Sequence, residues 1–256
     1  MYDMETRKHA LALLAQGFSQ NSVSKQTGIS RAAIRAWLSR IEPSPRIQGH
    51  TECSRCAPAP VPPDDFANYS YLLGLYLGDG CISGHPRGLG HHLRIVCADA
   101  WPGLIEECRR AIAALHPTSA VYLVQRQGCV VVTSYSRHWP CWFPQHGPGK
   151  KHHRPITLHH WQQEVIDQNP WDLIRGLIHS DGCRIINWTS RLVQGERRRY
   201  EYPRYFFTNL SADILGLFTS TLDQVGVEWK RTNGKNVSVA RRASVALMDA
   251  HVGPKY

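Results

Sequence analysis

No apolar run in this chain approaches the ~20 residues that span a bilayer, and no basic amphipathic helix marks a membrane-surface binder, so no membrane partner is expected. Acid is scarce: 20 Asp and Glu against 30 Lys and Arg leave a formal charge of +10, with 14 histidines beyond it. With a pI near 9.4, the expected partner is a polyanion, most simply nucleic acid. The eight cysteines have no disulfide-scaffold spacing and read as reduced. Met1-Tyr-Asp-Met-Glu5 lacks the basic and apolar regions of a signal peptide. Together these lead us to expect a cytoplasmic protein, nucleoid-associated, from a bacterial or phage context. A chain of 256 residues with 42% hydrophobic content suits one large domain or two to three small ones.

What the sequence does contain is one pattern written twice. Tyr71-Leu-Leu-Gly-Leu-Tyr-Leu-Gly-Asp79-Gly80 and Asp172-Leu-Ile-Arg-Gly-Leu-Ile-His-Ser-Asp181-Gly182 are each an apolar helix ending in Asp-Gly. Gly74 and Gly78 share one helical face, as do Gly176 and Ser180, and small residues on a face let two helix backbones meet. Gly80 and Gly182 are expected as left-handed C-terminal caps. Asp79 and Asp181 then stand at the negative ends of helix dipoles, facing each other if the helices pack in parallel. Two carboxylates so placed need compensation, which a divalent cation supplies.

Both stretches resemble the LAGLIDADG motif of homing endonucleases, aligning without gaps over Leu72–Gly80 and Ile174–Gly182. The resemblance covers roughly residues 65 to 256 and implies a single-chain, two-lobed member. The eighth motif position, the family's metal-binding acid, is Asp79 and Asp181; the sixth, often acidic there, is Leu77 and His179. It implies lobes that pack through their motif helices, a saddle-shaped sheet lying along the DNA major groove, and a double-strand break with short 3′ overhangs. Asp79, Asp181, Gly78 and Ser180 are thereby expected around Mg2+ or Mn2+. Family members also keep basic residues near the scissile phosphates; Lys150 or Lys151 and Lys255 occupy matching places, within the echoed segments His146-Gly-Pro-Gly-Lys150 and His251-Val-Gly-Pro-Lys255.

Ahead of the repeats, residues 1–45 read as a helix-turn-helix. Ala10, Leu11, Leu13 and Leu14 form one apolar side, Ser19 and Ser30 read as caps, and Ile34, Trp37, Leu38 and Ile41 recur at helical spacing. Arg31 and Arg35 fall on the recognition helix. Residues 46–63 form a proline-rich linker holding His50-Thr-Glu-Cys53-Ser-Arg-Cys56, where Cys53, Cys56 and His50 suggest part of a structural zinc site lacking a fourth ligand.

Residues 64–168 and 169–256 each read as helix, two strands, helix, two strands, helix. The expected fold is therefore α+β: two pseudo-symmetric αββαββα lobes with antiparallel sheets, plus a small all-α N-terminal module. Helices are expected over Pro102 to Leu115, Ser136 to His146, Leu158 to Ile166, Ser211 to Val225 and Arg242 to His251. Hairpins are expected at Gln127-Gly128, Gln194-Gly195 and Asn233-Gly234. Long polar side chains on the strands would read DNA. Lobe one offers Arg87, His92, Arg94, Gln125, Arg126 and Gln127. Lobe two offers Arg184, Arg191, Arg197, Arg199, Arg204, Lys230 and Lys235.

The expected function is Mg-dependent cleavage of double-stranded DNA at a long asymmetric site by a monomer. The competing reading is a non-cleaving transcriptional regulator on the same scaffold, which the helix-turn-helix favours. An RNA maturase fits the repeats but sits poorly beside a DNA-type module.

Overall fold

A computed structural model describes residues 2–42, 53, 56, 61–85 and 90–256. His50, Arg87 and most of the 46–63 linker lie outside the described residues. The chain divides into two compact units, Met1–Thr51 and Glu52–Tyr256.

The first unit contains α1 (Met4–Ala15), α2 (Gln20–Thr27) and α3 (Arg31–Ser39). The side chains of Asp3, Ser19 and Ser30 cap the three N-termini by accepting from Thr6, Ser22 and Ala33 backbone N–H groups. Gly28 ends α2 at φ +70°, a left-handed position that suits glycine. Ala10, Leu13, Val23, Ile29, Ile34 and Trp37 form its core. Leu38, expected inside, is 56% exposed, and Ile41 lies past the end of α3. Arg7 takes that place: it covers the Trp37 ring and donates to the Ile41 carbonyl. Arg31 and Arg35 stay exposed on α3, away from Ile34 and Trp37.

The second unit is built from α4 (Phe66–Asp79), β1 (Gly80–Gly84), β2 (His91–Ala98), α5 (Pro102–Leu115), β3 (Val121–Arg126), β4 (Cys129–Ser136), α6 (Trp139–Trp142) and α7 (His160–Gln168). It continues with α8 (Pro170–Asp181), β5 (Gly182–Val193), β6 (Glu196–Thr208), α9 (Ala212–Gln224), β7 (Lys230–Asn233), β8 (Asn236–Val239) and α10 (Arg242–His251). Each half forms a four-stranded antiparallel sheet, β1-β2-β4-β3 and β5-β6-β8-β7. The identical order makes the two halves repeats of one α+β lobe. A single apolar core runs through both, from Tyr69 and Ile95 to Phe207 and Met248. Among the described residues, no helix is long and apolar enough to cross a membrane.

The α6 helix is far shorter than the expected Ser136 to His146. Pro144 follows directly on Phe143 and disfavours helical backbone there. Gly80 and Gly182 are not left-handed caps: their φ values are −94° and −107°. They are glycine for want of space, since a Cβ would lie 2.5 Å from Tyr76 Cα or 2.7 Å from Ile178 Cα.

Strand register sorts the basic residues by face, because alternate side chains point to opposite sides. In lobe one, Leu93, Ile95, Val130 and Val132 face the helices. His92, Arg94 and Arg126 share the open face. Gln125 pairs with Val130 and so belongs to the helix-facing side, its amide donating to the Arg126 carbonyl. Gln127 is exposed in the turn before Gly128 at φ +74°.

In lobe two, β5 and β6 pair over their whole length, yet β8 joins β6 only at Tyr205–Thr208. The rest is a long exposed ribbon, closed by Gln194 and Gly195 at φ 53° and 82°. Arg191, Arg204 and Lys230 alternate with the buried Tyr205 and Phe207 and lie on the open face. Arg198, which sequence reasoning passed over, faces Arg191 across the ribbon on that same side. Arg197 and Arg199 fall on the other side, Arg199 lying over the Trp188 ring and pairing with Glu201. Arg184 also points away from the open face: it forms a two-point ion pair with Asp249 of α10, at 2.6 and 2.9 Å.

Candidate active site at the helix seam

The helices α4 and α8 meet backbone to backbone. A Cβ on Gly176 would lie 2.2 Å from the Tyr71 carbonyl oxygen, and one on Gly74 would lie 2.7 Å from Leu173 O. Further along, Gly78 faces Ser180, whose hydroxyl would be 2.2 Å from an added Cβ. That hydroxyl lies 3.0 Å from the Gly176 carbonyl on its own helix and 3.4 Å from Gly74 O across the seam. The small residues are thus where the helices touch, and the contact brings both helix C-termini to one place.

Asp79 and Asp181 are the last residues of these helices. A Cβ on Gly78 would sit 3.1 Å from Asp181 Oδ2, so the second carboxylate reaches the end of the first helix. Burial raises the Asp79 carboxyl to about 6; the Asp181 charge adds to this, and Lys255 and Lys151 oppose it. Burial also raises Asp181, against a hydrogen bond from Asn209 and the charges of Lys151 and Lys255. Asn209 donates from Nδ2 to Asp181 Oδ2 at 2.7 Å, while its own Oδ1 accepts from the Ser211 N–H. The only sequence signal for Asn209 was its place just ahead of a helix cap.

Two lysines complete the constellation with the same pseudo-symmetry. Lys151 Nζ donates to the Tyr76 and Gly78 carbonyls, and Lys255 Nζ donates to Ser180 O at 3.1 Å. Each ammonium therefore bonds last-turn carbonyls at the negative end of a motif helix. Burial lowers Lys151 to about 8 despite Asp181 and Asp79 nearby, and it lowers Lys255 as well. Lys150 is exposed and makes no such contact among the described hydrogen bonds. The echoed segments match differently from their apparent alignment: Gly149 at φ +76° corresponds to Gly253 at φ +72°, so Lys151 is the partner of Lys255. Gly78 and Ser180, expected around the metal, have their carbonyls accepting from Lys151 and Lys255 respectively.

Lys255 is positioned from the opposite lobe. The Tyr256 carbonyl accepts from Gly103 and Leu104 N–H, capping α5, while its phenol donates to Glu107. Glu107 also pairs with Arg175 and accepts from Tyr71, which contacts His179 at 3.0 Å. The sixth motif position of the second repeat is thus a buried histidine in a structural network, its pKa lowered to about 4 by burial and then by Arg175. Beside the seam opens a cleft of ≈ 1020 Å³, lined by Asp181, Asn209, Lys150, Lys151 and Lys235 among others.

No protein-family profile and no curated protein matches the chain. Among solved structures, a set of mesophilic variants of the homing endonuclease I-DmoI aligns at TM-score 0.49 and 14% identity, covering 73% of this chain and 96% of that one. The LAGLIDADG meganuclease I-AabMI bound to uncleaved DNA aligns at 0.45 and 11%, covering 72% and 83%. The N-terminal LAGLIDADG domain of DUF199/WhiA aligns at 0.44 and 9%, covering 75% and 83%.

A divalent cation suits the two acids. They are hard oxygen donors of the kind Mg2+ takes, and burial has made their ionised forms costly enough to gain from one.

Proposed function

We propose that the chain is a sequence-specific DNA endonuclease of the LAGLIDADG kind, cutting both strands of a long asymmetric site as a monomer with Mg2+ or Mn2+. The observation that carries this is the convergence of Asp79, Asp181, Lys151 and Lys255 at the ends of two helices in backbone contact. Asp79 and Asp181 would hold the cation, which supplies Lewis acidity and charge neutralisation at the phosphate. Lys151 and Lys255 keep positive charge beside the reacting phosphates and stabilise charge that develops there. In moving to a phosphate either ammonium gives up backbone carbonyls, so DNA must offer a better acceptor, which an anionic oxygen does.

The open sheet faces would follow the major groove, with His92, Arg94, Arg126, Arg191, Arg198, Arg204 and Lys230 toward DNA. Residues 1–45 would act as a helix-turn-helix that adds contacts through Arg31 and Arg35. Lobes spanning 64–168 and 169–256 would each address one half-site.

One feature favours a non-cleaving regulator. Two lysines already balance two aspartates and hold the carbonyls of Gly78 and Ser180, so the site is near neutral without a cation. Incubation with a randomised duplex library, in Mg2+ and in chelator, separates the readings. Cut ends with short 3′ overhangs in Mg2+ support the nuclease; selective binding with no cut in Mg2+ or Mn2+ establishes the regulator.

Two further results are expected. Deleting residues 1–45 should leave the remaining unit folded and weaken DNA affinity, with a shallower salt dependence from lost phosphate contacts. Unchanged affinity and slope would assign that module to another partner. Arg198→Ala should lower the slope of log affinity against log salt by about one. Arg184→Ala should leave that slope alone and cost up to about 1 kcal/mol in urea unfolding, the ordinary worth of a surface ion pair.

A further inference from the structure

A second constellation lies apart from the seam. Cys53 and Cys56 come from the segment ahead of α4; His138 and Cys141 come from the turn where β4 runs into α6. Their three sulfurs and one imidazole nitrogen lie within 4.8 Å of one another. Cys53 Sγ is 3.2 Å from His138 Nδ1 and Cys56 Sγ is 3.3 Å from it. A tetrahedral zinc with the usual bond lengths needs sulfur–nitrogen edges of roughly 3.5 Å and sulfur–sulfur edges of roughly 3.8 Å. The cluster therefore already has nearly the right size.

We propose that Cys53, Cys56, His138 and Cys141 bind a structural Zn2+ that pins the segment ahead of α4 to the start of α6. Two short ligand pairs, Cys-x-x-Cys and His-x-x-Cys, are brought together across more than eighty residues. A disulfide would engage two of these sulfurs and leave the third with the imidazole. Three thiols and a histidine around one point give the ligand set and shape that zinc takes most readily.

Neighbouring groups hold these four side chains in place. The Cys56 N–H donates to the Cys53 carbonyl at 2.8 Å, tying the two cysteine ligands to each other. The His138 ring packs edge-on against Trp142 at 4.1 Å, and its backbone N–H donates to Ser136 Oγ. Three thiols and an imidazole nitrogen packed this closely crowd one another when no cation lies between them. Zinc would replace that crowding with four bonds. It would also brace the aromatic wall behind the seam: Trp142 donates to the Val61 carbonyl, and Tyr69 of α4 donates to Trp142 O.

The test uses the full chain and does not depend on cleavage. Metal analysis after purification with zinc should give one equivalent per chain. Cobalt exchanged for it should show the thiolate-to-metal charge-transfer band and strong visible bands of a tetrahedral sulfur-rich site. Cys141→Ser and Cys56→Ser should lose both signals, and Cys129→Ser should keep them. If a variant fails to fold, the parent decides: chelation should lower its Tm by several degrees, and zinc should restore it. Substoichiometric zinc, a cobalt spectrum without thiolate bands, or zinc retained after both ligand substitutions would overturn the proposal. Because fourteen histidines can also capture zinc, the thiolate band is the deciding signal.

Discussion

Asp79→Asn and Asp181→Asn should each remove Mg-dependent cutting while leaving affinity for target DNA in chelator unchanged or tighter. The amide keeps the size of the carboxylate and removes its charge. Cation-assisted phosphoryl chemistry is worth several kcal/mol at the transition state, so the loss should be about a thousandfold or more. Binding moves the other way, because a carboxylate beside phosphates is repulsive when no cation intervenes. The two variants need not be equal: Asp181 also accepts from Asn209, whereas the Asp79 carboxyl is raised to about 6 by burial and by the Asp181 charge. Nicking of one strand by either variant would assign each aspartate to its own scissile bond. If both variants cut at the parental rate, the metal reading of the seam is wrong.

The same carboxylate gives a pH signature. Asp79 goes from the ordinary 3.8 to about 6 on folding, so between those values the folded state binds the extra proton. Stability must then fall as pH rises through that window, and the charged form is the costly one above it. The Asn variant lacks this term, so its urea midpoint should gain on the parent between pH 4 and 6 and keep the gain at pH 7. Mg2+ should raise the parent's Tm and leave the variant's nearly unchanged. Cleavage should weaken below about pH 6 and recover with more Mg2+, since cation and proton compete for one group.

The second large effect comes from a methyl group. Gly176→Ala should destabilise the protein by on the order of 3 kcal/mol, although alanine is the better helix former by about 1 kcal/mol. The added Cβ would lie 2.2 Å from the Tyr71 carbonyl oxygen and 3.0 Å from Gly74 Cα. Both are backbone atoms, so no rotamer change relieves the overlap and the helices must part. Gly216→Ala is the matched control. It is also helical and exposed, with nothing within 4 Å of its Cβ position, and should stabilise by up to about 1 kcal/mol. Opposite signs for one substitution in two helices would locate the close contact. Equal, small effects would mean the seam opens freely in solution. A parted seam also separates Asp79 from Asp181, so cutting should fall even where Gly176→Ala remains folded.

Much of the architecture was legible because it is written locally. Apolar residues at helical spacing marked Pro102–Leu115, whose Leu104, Ile105, Cys108, Ile112 and Leu115 are all buried. Ser211 does cap α9, and α10 runs from Arg242 to His251 as its pattern suggested. The doubled Gly-xxx-small spacing named the residues that now line the α4–α8 contact. Such signals depend on neighbours three or four positions apart, which a chain carries wherever it folds.

The misses share a different cause. Lys150 and Lys151 are adjacent, and only the path after Gly149 decides which ammonium meets the end of α4. Arg197, Arg198 and Arg199 are chemically alike, yet one step along a strand reverses the face, so pairing with β5 decides that Arg198 joins Arg191. That Arg184 pairs with Asp249 depends on where α10 packs, which no local pattern carries. Gly80 looked like a cap, but its need for glycine comes from Tyr76 Cα and the Ile95 side chain.

By itself, then, the sequence determined that this protein is a basic, duplicated α+β chain with two motif helices, each ending in an aspartate. Only the tertiary structure decided which lysines stand beside those aspartates, which arginines share the open face, and that Cys53 and Cys56 meet His138 and Cys141. The division has a physical basis. Helix periodicity and caps are properties of a few consecutive residues, whereas a site assembled across lobes is fixed by strand register and by close packing between distant segments.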